Sequence, residues 1–192
     1  MKEKICTLKD LARKKHTYWR FSQSEKGKSI ERVYAEYKPG KITIAQNEQK
    51  KLSFTDERTI AYCFMYGDLL TKLVFDIKNK EFRKIMNCKV KFIDESLGEY
   101  ESCKLMTEEN YSLSDINTIR RIFSMVNNKK QLISIFYGGY GNLESRLNQY
   151  GFAETAELVH YLGKEFDRNP DNMFQNRLKL IDQYIFDQKI KE

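Results

Sequence analysis

The run Ser112-Leu-Ser-Asp-Ile-Asn-Thr-Ile-Arg-Arg-Ile-Phe-Ser-Met-Val126, SLSDINTIRRIFSMV, decides the fold. Ile116, Ile119, Phe123 and Val126 recur at the spacing of one helical face, and Ser112 with Asp115 reads as a capping box before them. Asn127-Asn128 ends that helix. Downstream the same period returns three times. Leu143, Leu147 and Tyr150 make a short helix closed by Gly151, and Leu158, Val159, Leu162 and Phe166 make another. Asn169-Pro170 caps a last helix whose Phe174, Leu178, Ile181 and Ile185 share a stripe.

Upstream of residue 107 the period is that of strands. Residues 7–15 form a short helix, with Leu8 and Leu11 one turn apart. Ile30 to Tyr37 is rich in β-formers, and Lys38-Pro-Gly-Lys41 turns the chain into Ile42-Thr-Ile44. Thr59–Tyr66 and Leu69–Ile77 flank Gly67-Asp68 as a hairpin, and Lys89–Ile93 pairs with Tyr100–Met106 across the acidic turn from Asp94 to Glu99. Strands first and helices later give an α+β fold, an antiparallel sheet from the N-terminal half packed against a C-terminal layer of about four helices. The expected division is a basic, mainly β segment 1–106 and a mainly helical segment 107–192, sharing one core in one compact domain.

A chain of 192 residues can bury such a core, and its twelve Tyr and twelve Phe argue against disorder. The N-terminus lacks a signal-peptide apolar region, and no apolar run approaches the roughly 18 residues that span a bilayer. The four cysteines Cys6, Cys63, Cys88 and Cys103 show no CxxC, and His16 and His160 are too few to complete a zinc site. Free thiols in a reducing cytoplasm are expected, with no metal and no cofactor.

The net charge of +7 is lopsided. Met1 to Lys51 holds 14 Lys/Arg against 6 Asp/Glu, whereas Leu52 to Glu192 holds 20 against 21. In the basic segment, aromatics interleave with cations. If His16 to Ser22 is a strand, Thr17, Trp19 and Phe21 share one face and Tyr18 and Arg20 the other. Trp19 then belongs to the core. Arg13, Lys14, Lys15, Arg20 and Arg32 become candidates for phosphate contacts, and Tyr18 and Tyr34 for base stacking.

Several motifs fail on physical grounds. The glycines of Gly138-Gly-Tyr-Gly141 are followed by Asn142-Leu-Glu144, not by the Lys-Ser/Thr of a phosphate loop, and a first-turn carboxylate repels phosphate. The spacing also lacks the third glycine of the dinucleotide fingerprint, so these glycines read as a turn before the cap Asn142. Tyr137 and Tyr140 on that loop are candidates for a partner contact. A helix-turn-helix across Leu143–Leu162 fails because its second helix carries Glu154 and Glu157 where cations are needed. Asp68, Asp76 and Lys78 resemble a nuclease pattern, but one extended strand would hold the two carboxylates roughly 26 Å apart. Asp94, Glu95, Glu99 and Glu101 match no calcium loop. Cys63 reads as a core thiol and His160 as a surface histidine.

The resulting expectation is a non-enzymatic, cytoplasmic protein that binds nucleic acid or a nucleoprotein enzyme through its basic segment, without a membrane partner. The Lys, Ile and Asn usage suits a phage or mobile element, where such a protein would inhibit a host restriction or CRISPR nuclease in the manner of an anti-CRISPR. The alternatives are a protein–protein inhibitor or adaptor with no nucleic-acid contact, and an enzyme with an unrecognised site.

Overall fold

A computed structural model describes residues 6–24, 36–46, 51–94, 97–138 and 142–191. The chain forms two compact units, Met1–Tyr111 and Ser112–Glu192. The fold is α+β, a curled antiparallel sheet in the first unit and a helical layer in the second. None of the described helices is long and apolar enough to cross a membrane.

In the first unit the strands are β1 (Cys6–Thr7), β2 (Tyr18–Ser22), β3 (Ile42–Ile44), β4 (Leu52–Asp56), β5 (Leu69–Leu73), β6 (Lys89–Asp94), β7 (Glu99–Ser102) and β8 (Lys104–Ser112). Two short helices, α1 (Leu8–Ala12) and α2 (Lys80–Arg83), join them. The sheet order is β1-β6-β7-β4-β2-β5-β8-β3, and every pair with a described register is antiparallel. The expected pairing of Lys89–Ile93 with the segment from Tyr100 is present, with Val90 opposite Ser102.

Alternation along β4 sets inside from outside. Leu52, Phe54 and Asp56 point into a core with Tyr18, Tyr100 and Phe82, while Ser53 lies on the outer face. Tyr18 is 1% exposed, packs 4.1 Å from the Phe75 ring centroid, and donates its hydroxyl to Leu11 O at 3.1 Å. Trp19, on the opposite face, is also buried, beside Tyr111. β2 lies between β4 and β5 and is covered on both sides, so a half-exposed strand is the wrong template for it.

The expected hairpin across Gly67-Asp68 does not form. Residues Ile60–Tyr62 and Phe64–Tyr66 are two 3₁₀ turns, with Tyr62 N donating to Thr59 O and Tyr66 N to Cys63 O. Burial of Ile60, Ala61 and Phe64 follows a helical spacing, which overrides the β propensity of this run. β5 pairs with β2 instead, and Gly67 lies so close that a Cβ there would sit 2.0 Å from Ser22 O. The nuclease pattern gains nothing from this change, because Asp68 is buried and accepts from Ser24 N and Oγ.

The second unit contains α3 (Ile116–Met125), α4 (Lys129–Tyr137), α5 (Leu143–Gln149), α6 (Ala153–Arg168) and α7 (Pro170–Lys191). The cap of α3 is Asp115, whose carboxylate accepts from Asn117 N; Ser112 is the last residue of β8. α4 is the helix not expected from sequence. Its apolar run resembles a strand, but Asn128 caps it by accepting from Gln131 N, and Leu132, Ile135 and Phe136 bury one helical face. Gly138 has φ −55, so it does not supply the positive φ expected before Asn142. Asn142 does cap α5, and Gly151 ends it at φ 78. The Arg177 guanidinium closes the end of α3, donating to Phe123 O and Val126 O at 2.8 and 2.7 Å.

Candidate nucleic-acid interface

The short helix α1 forms because Thr7 caps it and Asp10 returns the bond, the Asp10 carboxylate accepting from Thr7 N at 2.9 Å. The Thr7 hydroxyl and then its backbone N–H hold the Asp10 carboxyl below its ordinary range. Leu8 and Leu11 are buried. Arg13, Lys14 and Lys15 therefore stand exposed just beyond the helix, and Lys9 is partly exposed. Lys14 Nζ lies 5.5 Å from the Phe92 ring centroid.

A second basic stretch runs beside the first. Residues 78–91 carry Lys78, Lys80, Arg83, Lys84, Lys89 and Lys91 against one acid, Glu81, and all six cations are exposed. Asn79 caps α2 by accepting from Glu81 N and Phe82 N, and burial of Phe82 and Ile85 turns Lys80, Arg83 and Lys84 outward. The strand period then buries Val90 between Lys89 and Lys91.

Backbone hydrogen bonds bring the two stretches together. Cys6 pairs with Val90 and Thr7 with Lys89, while Leu8 N donates to Cys88 O at 3.1 Å and Lys9 N to Met86 O at 2.8 Å. β1 is an edge strand, so the cations line one margin of the sheet. Asp10 offsets Arg13 at 3.8 Å, and Glu81 takes Lys84 at 2.6 Å. Totals over long segments conceal the second stretch; a local count over 78–91 finds it.

The remaining candidate residues are not on this margin. Tyr18 is a core residue and cannot stack a base without opening the core. Arg20 lies on a central strand with its guanidinium 4.0 Å from the Tyr37 ring centroid and hydrogen-bonded to Tyr37 Oη, so it is committed inside the fold. Arg32, Tyr34 and Tyr140 lie outside the described residues. Tyr137 ends α4 and is 53% exposed, but its hydroxyl is bonded to the Asp167 carboxylate, which raises its pKa.

His16, Asp56 and Glu57 bring potential metal ligands within 4.8 Å of one another. Both carboxylates and His16 Nδ1 are already engaged. Arg58 forks onto both Asp56 oxygens, Tyr100 Oη donates to one of them, and Glu57 accepts from Thr17 N while its other oxygen lies 2.7 Å from His16 Nδ1. A guanidinium 2.7 Å from Asp56 already supplies the positive charge a metal would bring. The cluster is a clamp between the end of β4 and the start of β2.

Compared with protein-family models, curated proteins and solved structures, the chain matches none.

Proposed function

We propose that the first unit binds the phosphate backbone of a nucleic acid, alone or within a nucleoprotein, through the basic margin of residues 9–15 and 78–91. The observation that carries this reading is the ladder from Cys6↔Val90 to Lys9 N–Met86 O, which sets two separate cationic stretches side by side. Closely spaced cations that neutralise phosphates release counterions, and that gives affinity without base readout. With Tyr18 buried, the described part of the margin contributes charge rather than a stacking platform. The protein works in this reading as a non-enzymatic cytoplasmic factor. Occupying the nucleic-acid path of a host nuclease is one role such a surface would serve in a phage or mobile element.

Fluorescence anisotropy of labelled single-stranded DNA, duplex DNA and RNA at about 50 and 200 mM salt tests it. Binding that weakens by roughly a hundredfold or more between the two salts is expected for several phosphate contacts. No binding to any of the three polymers at the lower salt would overturn the reading.

A further inference from the structure

On the outer face of the sheet lies a cleft of about 260 Å³, lined by Phe21, Thr55, Cys63, Tyr66, Ile93 and Glu99 and by neighbouring residues of β2 and β4. Thr55 pairs with Trp19 on one side and Glu99 on the other, which places it on the face opposite Phe54 and the core. Cys63, between the two 3₁₀ turns, and Tyr66, the last residue of the second, form its wall. At Ile93 the β6–β7 register shifts, with Phe92 opposite Tyr100 but Asp94 opposite Glu99. A bulge of this kind re-aims a side chain and recurs beside binding sites.

Two polar groups of the lining stand without a partner among the described residues, and two large apolar side chains beside them are exposed. Thr55 is only 7% exposed, and its Oγ1 has no hydrogen-bond partner among the described residues, a state that buried polar groups rarely tolerate without a ligand or water. Glu99 is half-buried and makes no ion pair among the described residues. Tyr66 and Ile93 expose 45% and 49% of their surface at the same place. Arg20 is the other charged residue of the lining, and its guanidinium is committed to Tyr37.

We infer that this cleft is a binding site for a guanidinium carried on a short alkyl chain. The planar cation matches a carboxylate bidentately at Glu99 and is weakly hydrated, so it tolerates partial burial. One of its N–H groups satisfies the Thr55 hydroxyl, and the alkyl stem lies against Phe21, Tyr66 and Ile93. The volume is below that of drug-sized pockets and suits a single side chain or a molecule of that size. The guanidinium arrives as a free small molecule or as an arginine side chain of a partner. This inference does not depend on the nucleic-acid reading.

Titration of the ¹⁵N-labelled full chain with n-butylguanidine, followed by amide shifts, tests the site. Saturable shifts are expected at Phe21, Thr55, Cys63 and Glu99, with none from n-butanol or butyrate. Glu99→Gln should weaken binding at least about tenfold and Thr55→Val about three- to tenfold, the loss of a charge-assisted and of a neutral hydrogen bond. Each variant changes one side chain without altering its volume by more than an atom, and unchanged spectral dispersion verifies the fold. A parallel titration with acetyl-Gly-Arg-Gly-amide separates the sources: tighter binding than n-butylguanidine assigns the site to a partner's arginine, weaker binding to a small molecule. Absence of saturable shifts with n-butylguanidine, equal response to butyrate, or unchanged affinity in Glu99→Gln overturns the inference.

Discussion

The hydroxyl of Tyr100 donates to the buried carboxylate of Asp56 at 3.0 Å, while Arg58 grips the same carboxylate from the solvent side at 2.7 Å. Asp56 is 0% exposed and Arg58 about a third exposed, so the pair brings a full negative charge into the core under one lid. Bonding to Asp56 holds Arg58 more firmly protonated, and burial pushes the Tyr100 hydroxyl to higher pKa. This clamp ends β4 and fixes the turn into the 3₁₀ segment that walls the cleft.

Arg58→Ala should destabilise the first unit by roughly 3 kcal/mol, because it leaves Asp56 buried without its counter-charge. Urea unfolding checks this. Asp56→Asn in the Arg58→Ala background should recover part of the loss, and equal stability of the wild type and Arg58→Ala would show the ion pair to be dispensable.

Gly98 and Gly40 provide a matched comparison of backbone and steric cost. Both have positive φ, at 75 and 73. A Cβ on Gly40 meets nothing within 4 Å, whereas on Gly98 it meets both Asp56 carboxylate oxygens at 2.4 Å. Gly40→Ala should cost about 1 kcal/mol, and Gly98→Ala roughly 3 kcal/mol or more. Thermal unfolding midpoints of the two variants should therefore differ by several degrees, and coincident midpoints would contradict the described turn.

The Cys88 thiol is pushed up to about 11, first by burial and then by the neighbouring Cys103 to which it is hydrogen-bonded. Only the thiolate is alkylated, so at pH 7.5 Cys88 carries at least about a hundredfold less reactive form than an ordinary thiol. Iodoacetamide labelling with peptide mapping should find Cys88 modified slowly, at a rate that rises tenfold per pH unit until about pH 11. Cys103→Ala should speed it at pH 7.5. A flat pH profile would sink the prediction.

The basic margin predicts which cations matter. Lys14→Glu with Lys15→Glu, and separately Arg83→Glu with Lys84→Glu, should each weaken nucleic-acid binding by roughly tenfold or more and reduce the salt slope by about 2. Lys179→Glu with Lys189→Glu, on α7 of the second unit, should leave both unchanged in anisotropy titrations. Equal losses from all three pairs would mean that net charge, rather than this margin, governs association.

By itself the sequence determined the α+β class, the period change into α3, the caps Asn142 and Asn169, and the exposed cations Arg13, Lys14 and Lys15. Each follows from residues adjacent in the chain, whose spacing and capping chemistry act locally. Tertiary structure decided the rest. Tyr18 and Arg20 are drawn into the fold because β2 lies between two strands and is covered on both faces, which alternation within one strand cannot reveal. The run from Thr59 to Tyr66 coils because Gly67 must approach Ser22 and β5 must pair with β2. The second half of the basic margin, and the meeting of Thr55 with Glu99, Ile93 and Cys63, are contacts between residues 8 to 84 positions apart; no local propensity encodes them, and only burial of the core and pairing of the strands bring them together.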